Sequence, residues 1–200
     1  ESYDPKSDAW TTEAPMPTAR MTLGAAALGE TLYAAGGNVS ADEFIATVEA
    51  FTPGTGWTTK APLPGVRGNI FIAAFEGRLY VAGGNTQNGD EKTLFVYDPA
   101  ANSWSSLAPL PTGRYAGSAA QFLRGKLHIV GGWTARPGLP HADLMIYDPA
   151  AKRLFTGDYI YPTTLYAFSP GTSMSAYHAT AERLIATIPA DTILWTAHCC

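Results

Sequence analysis

Charge is sparse and cysteine almost absent in this chain of 200 residues. Only 15% of residues are charged, and the two cysteines, Cys199 and Cys200, sit side by side at the end. Adjacent cysteines of that kind build neither a disulfide framework nor a metal site. The net charge is −4 and no basic cluster is present. Nucleic-acid binding is therefore not expected, because phosphate contacts need concentrated Lys and Arg. No apolar run is long enough to span a bilayer. No segment of about ten residues or more carries a helical apolar period with caps. The histidines His128, His141, His178 and His198 have no partners at metal-ligand spacing. No nucleophile elbow or phosphate loop appears, so no cofactor is expected.

Glycine, proline and aromatics are plentiful instead, and they recur in order. The pairs Gly36-Gly37, Gly83-Gly84 and Gly131-Gly132 each end a short apolar run. The steps between them are 47 and 48 residues (83 − 36 and 131 − 83). A period of this size marks a stacked repeat architecture. Around each pair lie the same companions. Aromatic-x-Pro steps stand at Tyr3, Phe51, Tyr97 and Tyr147. Trp10, Trp57, Trp104 and finally Leu154 follow them. Then come Pro15-Met16-Pro17, Pro62-Leu63-Pro64 and Pro109-Leu110-Pro111, each leading to an arginine: Arg20, Arg67, Arg114.

Each unit reads as four short strands. Glycine turns at Gly29, Gly77 and Gly125 join the first two. Asp-Pro makes the tight turn between the last two, since Pro presets φ and Asp caps its own backbone. Pro-x-Pro breaks the ladder and starts the crossing to the next unit. Short runs bounded by Gly, Pro and Asp specify an all-β chain.

This pattern resembles the kelch repeat over about residues 3–150. The resemblance implies a kelch-type β-propeller of four-stranded antiparallel blades around a central channel. The expected division is 1–20 (strands three and four of a split or truncated blade), blades at 21–64, 65–111 and 112–156, and a divergent closing segment at 157–200. That last segment lacks both Trp and Gly-Gly. It reads either as a closing blade, giving about four blades, or as part of a piece of a longer propeller. An incomplete propeller would expose apolar surface and self-associate. Trp57 and Trp104 are expected to fill the gaps between blades, so that either change to Ala costs about 3–5 kcal/mol.

Loops between strands two and three, and between blades, emerge on one face. A ligand there would meet Arg20, Arg67 and Arg114, a ring of guanidinium groups suited to carboxylate or sulfate. The competing reading has each Arg bonding loop carbonyls. Asn38 and Asn85 follow the glycine pairs, where turn chemistry also explains them. Trp133 takes that slot in the third unit, with Arg136 and His141 in the same loop. Departures from a repeat are where function is expected. The reading is a module that binds a protein, peptide or glycan through this face. The alternative, which the resemblance implies, is a sugar-active propeller enzyme of the sialic-acid mutarotase type, or a fragment of one. The Ala-rich repeats point to a bacterial, secreted or periplasmic protein.

Overall fold

A computed structural model describes residues 1–116, 119–135, 138–141, 143–156 and 194–195. Every regular element among them is a strand. The chain opens with a hairpin, β1 (Ser2–Asp4) and β2 (Ala9–Thr11). The first complete sheet follows: β3 (Gly24–Leu28), β4 (Thr31–Ala35), β5 (Val48–Thr52) and β6 (Gly56–Lys60), antiparallel and paired in chain order. The second comprises β7 (Phe71–Phe75) and β8 (Arg78–Ala82), then β11 (Leu94–Asp98) and β12 (Ser103–Leu107). Between β8 and β11 a small ribbon stands out, β9 (Asn85–Thr86) with β10 (Gly89–Asp90). The third sheet has β13 (Ala119–Leu123), β14 (Lys126–Val130), β17 (Leu144–Asp148) and β18 (Arg153–Thr156). Its ribbon is β15 (Trp133–Thr134) with β16 (Leu139–Pro140), and β19 (Leu194–Trp195) adds to β18 in parallel. The expected closing segment otherwise lies outside the described residues.

The turns form for the reasons their residues suggest. Asp98 Oδ1 accepts the amides of Ala100 (3.0 Å) and Ala101 (3.3 Å), and Asp148 Oδ1 does the same for Ala150 and Ala151. These side-chain caps let the short strands reverse within four residues. The glycine pairs end strands where the backbone turns left-handed against a neighbour. Gly83 has φ of 59°, and a Cβ there would lie 2.4 Å from the Arg114 carbonyl oxygen. Only glycine fits both demands.

The core lies between sheets. Side chains alternate across a strand, so a strand covered on both faces is apolar throughout. On β8, Leu79 and Val81 pack towards Tyr33, Ala35, Val48 and Ala50 of the first sheet. Tyr80 and Ala82 pack the other way, towards Leu127, Ile129, Met145 and Tyr147 of the third. The middle residue of the second and third Pro-x-Pro plugs a gap: Leu63 is 3% exposed and Leu110 1%. Burying either leucine contributes about 2 kcal/mol.

The tryptophans sit differently from expectation. Trp57 and Trp104 are half-buried and Trp10 is exposed. Each ring leans on the aromatic directly across its hairpin: Tyr3–Trp10, Phe51–Trp57 and Tyr97–Trp104, with centroids 5.2, 5.3 and 4.9 Å apart. The indoles of Trp57 and Trp104 donate to the carbonyls of Ala14 and Ala61, both at 2.9 Å. Those carbonyls belong to the crossing segment before each blade, so the indole links neighbours by its polar tip as well as its apolar body.

The first strands, β3, β7 and β13, run side by side around a cavity of about 670 Å³. It is lined by 23–27, 70–74, Ala120 and Gln121. Small side chains such as Ala25 and Ala73 let these strands converge.

Candidate loop-face binding site

One face of the arc collects the crossing segments and the loops between second and third strands. Their bases are knitted by a repeating set of bonds. Residues 21 and 38, 68 and 85, and 115 and 133 form equivalent antiparallel bridges. After each bridge comes a left-handed residue: Thr22, Asn69 or Ala116, with φ of 56°, 51° and 51°. These residues bond head to tail between blades. The Asn69 amide donates to the Thr22 carbonyl at 2.7 Å, and the Ala116 amide to the Asn69 carbonyl at 3.2 Å.

The three arginines lie beneath this floor. The Arg20 guanidinium donates to the carbonyls of Thr47 and Ala34, both at 3.2 Å, and to Glu49 at 3.0 Å, with none of its side chain exposed. Arg67 is 4% exposed; it donates to the Gly83 carbonyl and the Thr93 hydroxyl and lies over the Phe95 ring at 4.9 Å. Arg114 donates to the Gly131 carbonyl at 3.0 Å and grips both oxygens of Asp143 at 3.2 and 2.9 Å. Burial lowers the pKa of Arg20 and Arg67, against the opposing pull of Glu49 and Glu91. All three guanidiniums serve the fold, tying each crossing segment to the blade that follows or flanks it. Burial raises the Asp143 carboxyl and the Arg114 bonds lower it; the lowering wins.

The two asparagines also turn inward. Asn38 is 6% exposed, and its Oδ1 accepts the Thr22 hydroxyl. Asn85 Oδ1 accepts the Asn69 side-chain amide at 2.9 Å. Trp133 holds the equivalent slot and is 38% exposed. Ala116 stands where the other units have Thr22 and Asn69, so Trp133 meets no matching polar partner there. His141 lies at the far end of the same loop, its Nδ1 3.4 Å from Asp143 Oδ1. Its Nε2 is buried with no partner among the described residues. Arg136 lies outside the described residues.

The structure adds a feature that sequence reading missed. Between the β9–β10 and β15–β16 ribbons lies a cleft of about 470 Å³. Thr86, Asn88, Asp90, Lys92, Thr112 and Thr134 line it.

Residues 67–111 match the Kelch motif family model. That unit is a kelch motif. The match covers the second unit from Arg67 to the last Pro of its Pro-x-Pro. A search of curated proteins gave no match. Among solved structures, one titled "Structure of YjhT" superposes with a TM-score of 0.66 over 78% of this chain and 50% of that one, at 18% identity. That likeness supports the kelch-type β-propeller fold. The chain spans half the length of that structure. Among the described residues no group of His, Cys, Asp and Glu is placed to hold a metal ion, and no helix is long and apolar enough to cross a membrane.

Proposed function

We propose that this kelch-repeat module binds a protein, peptide or glycan through its loop face, with Trp133 as an anchor. One observation carries the reading. At the slot where Asn38 and Asn85 are bound into the floor, the third unit presents an indole that is 38% exposed. An exposed indole buries much area on binding at little entropic cost, which is why Trp is enriched in binding hot spots. Arg136 and His141 follow it in sequence and are the further residues proposed to meet the ligand. Asn38 and Asn85 hold its base, while Arg20, Arg67 and Arg114 hold the loops in place.

The test is selection of ligands from a displayed peptide library and a glycan panel, followed by affinity measurement on Trp133→Ala. At least about a tenfold loss is expected, equivalent to about 1.4 kcal/mol. The melting temperature should stay near that of the wild type. Unchanged affinity for every selected ligand would remove the loop face from the function.

A further inference from the structure

The cleft between the β9–β10 and β15–β16 ribbons contains an anomaly of charge and an anomaly of repeat. Asp90 Oδ2 accepts the Ala135 amide at 2.8 Å, which ties one ribbon to the other. Asp90 Oδ1 is out of water and has no partner among the described residues. A carboxylate oxygen left that way is costly unless something donates to it.

The repeat shows that this arrangement is specific to one position. Residue 90 pairs with Asn85 across its ribbon. The residues that pair with Asn38 and Trp133 in the same way are Phe44 and Pro140. A carboxylate therefore occupies a slot that is otherwise apolar. The residue before the crossing arginine changes with it. It is Ala19 before Arg20 and Val66 before Arg67, but Gly113 before Arg114. A Cβ on Gly113 would lie 2.9 Å from the Asp90 carbonyl oxygen and 3.0 Å from its Cβ. Asp90 and Gly113 thus depart from the repeat together, and the glycine lets the crossing segment lie close against the backbone of residue 90.

We infer that this cleft is a socket for an arginine side chain of a protein partner. This deepens the loop-face reading and rests on it. A guanidinium offers several donors in a fixed fork, and its bond to a carboxylate is among the strongest hydrogen bonds available. The Asn88 side chain and the Thr86 and Thr112 hydroxyls surround the position and supply further acceptors. Lys92 also lines the cleft, yet it is exposed. Its ammonium is hydrated and screened, whereas the Asp90 carboxylate is partly buried, so its attraction for a cation that enters the cleft is screened less. The chain as a whole carries −4, which favours approach of a basic partner.

The experiment is an amide-resolved NMR titration with N-acetyl-arginine amide, and with its citrulline counterpart, which keeps the shape and loses the charge. Saturable shifts at Asp90, Gly113 and Ala135 are expected with arginine, and binding about tenfold weaker or worse with citrulline. Asp90→Asn should remove the preference for arginine, Gly113→Ala should close the cleft, and Lys92→Gln should tighten binding about two- to threefold. Melting curves confirm that each variant is folded; the arginine–citrulline comparison needs no variant. Equal shifts from the two probes, or none from either, overturn the socket. The loop-face reading fails separately. Selected ligands that depend on Trp133 but carry no basic residue sink the socket and leave the face standing. Selected ligands that shift no loop amide sink both.

Discussion

The hydroxyl of Tyr97 donates to Asn102 Oδ1 at 2.6 Å, and the same oxygen accepts the Ala61 amide at 2.9 Å. One side chain thereby closes its own turn and fastens the preceding crossing segment. Asn102 sits at φ of 47°, a conformation that asparagine tolerates better than most residues. The opening hairpin repeats the device, with Tyr3 donating to Asp8 at φ of 51°. Where the aromatic is Phe51 and has no hydroxyl, the turn is one residue shorter and uses left-handed glycines, Gly54 and Gly56.

The third sheet breaks this pairing, and that break is testable. Lys152 holds the left-handed turn position at φ of 53°, so the Tyr147 hydroxyl is buried without a partner among the described residues. Burial pushes its pKa up to about 12. Lys152→Asn should restore the bond and stabilise the protein by about 1 kcal/mol. The converse change, Asn102→Ala, should cost about 2 kcal/mol through lost bonds and left-handed strain. Denaturant midpoints for both variants check this; no gain from Lys152→Asn would show that the hydroxyl is not limiting.

The tryptophans should rank by their contacts. Trp104→Phe keeps the ring and loses the bond to Ala61, for about 1 kcal/mol. Trp104→Ala also loses half-buried area, for about 2 kcal/mol, below the range for a fully buried ring. Trp10 is 69% exposed, and Trp10→Ala should move the melting temperature least. A larger effect at Trp10 than at Trp104 would contradict the assigned contacts.

The Arg114–Asp143 pair predicts a pH dependence. The folded pKa of Asp143 lies below its ordinary value of 3.8, so the unfolded chain takes up a proton first. Its contribution is complete above that value and disappears as the pH falls through the folded pKa. Asp143→Asn should therefore flatten the acid limb of the stability curve, from about pH 5 downwards. Arg114→Met should cost about 3 kcal/mol near neutral pH, at the low end for breaking a buried pair because Asp143 remains 36% exposed. An acid limb of Asp143→Asn parallel to that of the wild type would count against the pair.

Much of this architecture is written in local chemistry. Gly83 needs left-handed backbone, Asp98 caps its own turn, and alternating residues on β8 face opposite neighbours. Each of these follows from residue type and spacing, so the repeat and its strands were legible. The partners of the arginines were not. A guanidinium that binds carbonyls inside and one that awaits a ligand outside are the same residue at the same spacing; only the packing of crossing segments against blades puts Arg67 and Arg114 within. Asp90 was hidden for a different reason. Loops of unequal length separate Asn38 from Phe44, Asn85 from Asp90 and Trp133 from Pro140, so the equivalence of those slots emerges only once strands are paired. Sequence determined the unit, because backbone conformation is a nearest-neighbour property. Tertiary structure decided which polar groups remain free, because that depends on bonds between residues distant along the chain.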